Sequence, residues 1–429
     1  MVPTSRYAIR YVKALQVLDS RGDPTVEVHV LTEGGGFGRG IAPAGASRGL
    51  REAVELRDGG RAYGGRGVLR AVEAVNKYIA PAIVGADSSN FREVDRRIIQ
   101  LDGTPNKSKL GANATTATSL AVVSAAASTA GQPLFEFLGG RRARTLPVPM
   151  MNVINGGVHA GNELAFQEFM VLPVGASTFS EALRVGVEVY KSLKEYLKRT
   201  YGAGAINVGD EGGFAPPMKR VREALEALVK AVEGSGYRAG EDFVLALDVA
   251  ASQLYREGFY WVDGAKLGSD ELLELYVRLV EEFPVVSIED PFSEEDAEYF
   301  KRLREVLRGR ALVVGDDLTV TSAKLVELHV AEGRVDGAII KVNQVGTLTE
   351  AEEAIETLRK LGRRAIVSHR SGESEDTAIA HIAVAYETGL IKCGAPARGE
   401  RTSKYNELLR IEDYLSGDAL YPGIRAIRP

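Results

Sequence analysis

At 429 residues the chain is longer than one small domain, and its length alone points to roughly two or three. With 45% hydrophobic and 26% charged residues it can bury a large core, and a single cysteine, Cys393, excludes an internal disulfide framework and suits a reducing compartment. A net charge of −5 without a basic stripe argues against a nucleic-acid partner, and no stretch reads as an apolar signal core or a membrane span.

Near the N-terminus "TVEVHVLT" alternates as a half-buried strand should, and the glycines from Gly34 to Gly40 read as a hairpin turn, since no helix pattern or phosphate-loop lysine follows. The stretch "ANATTATSLAVVSAAASTAG" is too polar to span a membrane and reads as a close-packed interior helix. "GQPLFEFLGGRRARTLPVPMMN" looks like a domain crossing. From about residue 146 the rhythm changes. Capping pairs open helices at Thr178 with Glu181, Ser293 with Asp296, and Thr349 with Glu352, and Val221, Leu225, Leu228 and Val232 recur at helical spacing. Between the helices lie short apolar runs: "FVLAL", "VVSI", "ALVV", "AII", "AIV" and "LI". Strands alternating with helices imply parallel pairing through crossovers, and nearly 290 residues of such units fit a barrel. The expected fold is a small N-terminal α+β domain over residues 1–140 followed by a (β/α)8 TIM-type barrel over 141–429.

Six successive strand units end in ionisable groups: Asp248; Glu289 and Asp290; Asp316 and Asp317; Lys341; His369, Arg370 and Ser371; Lys392. In a parallel barrel all these ends open on one rim, where such folds build active sites. Asp248, Glu289 and Asp316 would repel one another unless something positive lay between them. Hard oxygen ligands favour Mg²⁺ over zinc, and salt bridges to the lysines are the alternative. Neighbouring cations would lower the pKa of Lys341 and suit it to act as a neutral amine base. Arg370 and Ser371 suit a phosphate or carboxylate. Spacing alone leaves several other residues open. Asp210 and Glu211 in "INVGDEGGFAPP" read as solvated turn residues unless they face the rim, His159 as a surface histidine, and Ser47 as a helix cap.

Taken together, "LDSRGDPTVEV", "GASRGLREAVELRDG", "NGGVHAGNELAFQEF", "NVGDEGGFAP", "VSIEDPF", "VGDDLTVT", "IIKVNQVGTLTEA", "SHRSGESEDT" and "IKCGAPARGER" resemble, in order, the pattern of the enolase family from about residue 10 to about 412. The resemblance implies dehydration of 2-phosphoglycerate to phosphoenolpyruvate. It makes Lys341 the base and Glu211 the acid, supported by Glu168. It places Asp248, Glu289 and Asp316 on one Mg²⁺, with a second Mg²⁺ arriving with substrate and joined by Ser47. Arg370 and Ser371 would hold the phosphate and Lys392 the carboxylate side, with Gln167, His159 and His369 lining the site. It also implies a cytoplasmic homodimer or a higher homo-oligomer; a secondary cell-surface presence is not legible in the sequence. Asp23, Ala44, Gln253 and Cys393 depart from the commoner family residues, and none of them removes a proposed ligand. Two other readings remain: a related barrel enzyme acting on another carboxylate, and a surface-binding protein that has kept the fold without turnover.

Overall fold

The computed structural model describes residues 5–46 and 49–428. An antiparallel sheet of β1 (Ile9–Leu18), β2 (Pro24–Thr32) and β3 (Phe37–Ile41) opens the chain, with the glycine cluster forming the β2–β3 hairpin as expected. The Ala-rich segment is the helix Ala112–Ala130, buried almost throughout. It lies against β2 and β3 because glycines face it: a Cβ on Gly38 would meet the Ala121 carbonyl oxygen at 2.1 Å. Only a bare backbone permits that approach.

Eight strands then close a barrel: β4 (Val148–Asn155), β5 (Glu168–Leu172), β6 (Val244–Asp248), and, after a small three-stranded sheet of β7 (Tyr255–Arg256), β8 (Phe259–Val262) and β9 (Ala265–Leu267), β10 (Val285–Glu289), β11 (Leu312–Gly315), β12 (Gly337–Ile340), β13 (Arg364–Ser368) and β14 (Leu390–Lys392). Every apolar run expected to be a strand is one. Val148, Met170, Val286, Ile339 and Ile366 fill the lumen, and a second apolar layer between strands and outer helices continues into the N-terminal domain. Among the described residues no helix is long and apolar enough to cross a membrane.

The barrel departs from uniform parallel pairing in one strand. β5 runs antiparallel to both β4 and β6. The connection between β4 and β5 carries only a single 3-10 turn, Gly157–His159, and no crossover α-helix, and the chain turns back as a hairpin. The reversal has a chemical consequence. Glu168, the first residue of β5, pairs in register with Asp248, the last residue of β6, which in turn pairs with Glu289 at the end of β10. Three carboxylates thus stand side by side on one rim. The cap at Thr178 forms as expected, its hydroxyl accepting from Glu181 N. The cap expected at Thr349 is instead Thr347, which opens the helix Leu348–Lys360, while Thr349 donates its hydroxyl to Asp95.

Candidate active site

The rim carries two lysines embedded among carboxylates. Lys392 Nζ lies 2.7 Å from Glu289 Oε2 and 3.3 Å from both Asp248 Oδ2 and Glu168 Oε2. Lys341 Nζ donates to Asp316 Oδ2, whose other oxygen accepts from Gln344 Nε2 at 2.9 Å. Burial disfavours both ammonium groups. The carboxylates outweigh it, so Lys341 is raised and Lys392 raised well above the usual lysine value. With Asp316 directly on the amine, the nearest charge is an anion, which favours the protonated form; the lowering expected from sequence belongs to a rim that holds a cation.

The carboxylates are unequal. Burial and the charge of Asp248 push Glu289 up to about 8, and burial with the charge of Glu211 holds Glu168 well above the usual carboxylate range. Burial also opposes ionisation of Asp316, but Lys341 beside it wins and its pKa is lowered. Asp290, in the left-handed region at φ 41°, accepts the backbone N–H groups of Asp316 at 2.8 Å and Asp317 at 2.7 Å, and so shapes the turn that delivers Asp316.

Across the rim, the loop glutamate Glu211 is 2% exposed rather than solvated. Its carboxylate accepts from Asn152 Nδ2 at 3.0 Å, faces His369 Nε2 at 3.3 Å and lies 3.5 Å from His159 Nδ1. The buried guanidinium of Arg401 settles the tautomer of His369. Arg401 Nη1 lies 2.7 Å from His369 Nδ1 and can only donate, so Nδ1 accepts and the ring proton resides on Nε2, facing Glu211. Burial lowers His369 to about 4 and lowers His159 as well, so both rings are neutral near pH 7. Burial works against ionisation of Glu211, but His369, whose Nε2–H faces it, His159 and Arg401 prevail and hold it well below the usual range. A proton shared between Glu168 and Glu211 therefore rests on Glu168. Atoms of Glu168, Glu211 and His159 all lie within 4.8 Å of one another.

The remaining anticipated residues also converge. Gln167 Nε2 reaches Asp248 Oδ2 at 3.4 Å. Arg370 and Ser371 are each 4% exposed, Arg370 forking onto Glu52 and Ser371 Oγ accepting from Ala46 N. Ser47 lies outside the described residues. Glu52, Asn152 and Arg401 were not anticipated, because side chains that hold other side chains leave no spacing signal. Asn343 and Gln344 stand in the lysine's own motif, where the pattern of strand ends gives them no role.

Oxygen-rich chemistry around Asp248, Glu289 and Asp316 suits a hard divalent cation. Glu289 Oε1 and Gln167 Oε1 are buried acceptors without hydrogen-bond donors, a surplus that such a cation would satisfy. The three ligands anticipated from sequence each lie on a lysine. Lys392 bridges Asp248 and Glu289 while Lys341 pairs with Asp316, and among the described residues Asp290, Asp316 and Asp317 form a close carboxylate trio.

Known proteins show the same arrangement of domains. The family model for "Enolase, N-terminal domain" matches residues 9–138, and that for "Enolase, C-terminal TIM barrel domain" matches residues 143–429. This chain belongs to the enolase family. Over 417 residues it is 58% identical to the enolase of Aeropyrum pernix, covering 97% of this chain and 96% of that one. It is 53% identical to the enolase of Thermococcus gammatolerans over 425 residues, 99% of each chain. To the enolase of Methanocaldococcus jannaschii it is 54% identical over 418 residues, 97% of this chain and 98% of the relative.

Proposed function

We propose that Lys341 and Glu211 divide the proton transfers of the reaction this family member catalyses, the reversible glycolytic dehydration of 2-phosphoglycerate to phosphoenolpyruvate by a hydro-lyase. The observation that carries this is their placement on one rim. An amine on Asp316 stands at one strand end, and the Glu168–Glu211 carboxyl pair, with His369 facing Glu211 and Lys392 on Glu168, stands at others.

In the forward direction Lys341 Nζ takes the proton from carbon 2. The electron pair of that bond becomes the C2–C3 double bond, the C3–O bond breaks, and Glu211 delivers a proton so that the oxygen leaves as water. Glu168 holds the proton in reserve and passes it to Glu211. The His369 Nε2–H, fixed by Arg401, orients the Glu211 carboxyl. Arg370 and Ser371 take the phosphate. Lys392 meets the substrate carboxylate, whose charge grows as the proton departs, and His159 and Gln167 close the walls.

Asp248, Glu289 and Asp316 would hold one Mg²⁺ and Ser47 would join a second. When bound, the metal supplies positive charge at the carboxylate oxygens where negative charge accumulates. A base must be unprotonated, and pairing with Asp316 opposes that. An Asp316 carboxylate turned to a cation no longer stabilises the Lys341 ammonium, which is how the expected neutral amine would arise.

The test is the ultraviolet absorbance of phosphoenolpyruvate forming from 2-phosphoglycerate. We expect signal with Mg²⁺, none with a chelator, and recovery when Mg²⁺ is restored in excess; turnover indifferent to chelation would end this reading. We also propose a boundary at residues 140/141, a cytoplasmic setting and a homodimer or a multiple of it, the last to be checked by native mass measurement.

A further inference from the structure

The two groups read as the phosphate seat are already engaged by the chain's own N-terminal segment. Arg370 gives Nη1 to Glu52 Oε2 at 3.0 Å and Nη2 to Glu52 Oε1 at 3.2 Å. This is the two-bond fork that a guanidinium offers equally to a phosphate. Nη1 also reaches Asn343 Oδ1 at 3.1 Å, and Ser371 Oγ accepts from Ala46 N at 2.6 Å. Glu52 is itself held in place, its Oε1 accepting from Gly49 N at 3.0 Å and from Gln344 Nε2 at 3.3 Å, with a side chain only 7% exposed.

We infer that Glu52 is a specificity-determining residue: a tethered carboxylate that any ligand must displace from Arg370, so that the seat admits phosphoryl dianions and turns monoanions away. The inference rests on the reading of Arg370 and Ser371 as the phosphate seat. A guanidinium this deeply buried is costly to leave bare, so binding is an exchange of one anion for another. A monoanion offers Arg370 no more charge than Glu52 already does, and Glu52 competes at the high effective concentration of a tethered group. A dianion brings a second charge and further acceptor oxygens, and can win.

Sulfate, a dianion, and nitrate, a monoanion, are titrated calorimetrically into the wild type, Glu52→Gln, Glu52→Asp and Arg370→Gln, and the KM for 2-phosphoglycerate is measured for each. Glu52→Gln keeps an oxygen for Gly49 and Gln344 and removes the charge. It should bind sulfate about tenfold more tightly, bring nitrate into the measurable range, collapse the sulfate-to-nitrate ratio and lower KM without raising kcat. Glu52→Asp, charged but one methylene shorter, should move the same ratio part of the way, and it carries the test if Glu52→Gln does not fold. Weaker sulfate binding in the folded variants, or an unchanged ratio, overturns the inference and makes Glu52 a support for Arg370. Arg370→Gln separates the two questions. If sulfate affinity survives it, the phosphate-seat reading fails whatever Glu52 does.

Discussion

The two mouths of the barrel use charge in opposite ways. At the floor, where the strands begin, a cavity of about 650 Å³ is lined by Arg359, Arg363, Arg364 and Arg428 together with Asp336 and Glu387. The side chain of Arg359 is 51% exposed and pairs with Glu356, so that charge stays in water. At the rim, the side chain of Lys392 is 2% exposed and sits among three carboxylates that are themselves buried. Open space marks the floor and costly charge marks the rim. Surface ion pairs contribute little to stability, whereas buried ones carry a desolvation cost that burial of apolar groups would avoid. The rim is where the fold retains groups that packing alone would replace, and that is where the chemistry lies.

The sharpest way to break this contrast is to remove the base. Lys341→Ala should lower kcat/KM on the order of 10³-fold or more while circular dichroism stays unchanged; near-wild-type turnover would take the base assignment away. Glu211→Gln should cost on the order of 10²-fold in kcat. It should also abolish the limb of the pH–rate profile that reports the Glu168–Glu211 proton, and a profile identical to the wild type would count against the acid role.

A buried carboxylate away from the rim sharpens the comparison. Asp95 is fully buried where the N-terminal domain meets the helix Leu348–Lys360, and burial raises its pKa from 3.8 to about 6. A carboxyl raised in the folded state holds its proton longer than in the unfolded chain, so folding stability is lost as pH rises from near 4 through about 6. All three of its hydrogen bonds end on Oδ2, so an amide oxygen can replace it. Measured by urea unfolding, Asp95→Asn should fare better against the wild type at pH 7 than at pH 4 by on the order of 2–3 kcal/mol, the unpartnered Oδ1 leaving its amide NH₂ without an acceptor at both. A gain equal at both pH values would point to packing rather than charge. The smallest effect belongs to the floor. Arg428→Gln should shift stability by no more than about 0.5 kcal/mol and leave kcat/KM unchanged; a large loss of either would show that the floor too holds costly charge.

Much of this was legible in the chain. Apolar runs two to five residues long, spaced by helical patterns, gave six of the eight barrel strands, because period and length follow from backbone geometry alone. The ionisable residue ending each run gave the rim, because parallel strands finish on one side. The motifs gave the family. Three things were not legible. The reversal of β5, which places Glu168 beside Asp248, depends on how the β4–β5 loop turns, and a short apolar strand carries no mark of direction. The cap at Thr347 rather than Thr349 depends on Asp95, 254 residues away from Thr349 in sequence.

The protonation of the site was the largest gap. Sequence placed Lys341 among charges but could not say which lies nearest, and the nearest is Asp316, which favours the protonated amine. Likewise Glu52 on Arg370, and Arg401 fixing the ring proton of His369, arise only when segments 318 and 32 residues apart meet. The sequence by itself determined which chemical groups the rim would carry, since strand periodicity is a local property. Only the tertiary structure decided which of them hold protons and which anion faces each cation, because electrostatic energy depends on distances of a few ångströms and on burial, and neither is a property of the chain before it folds.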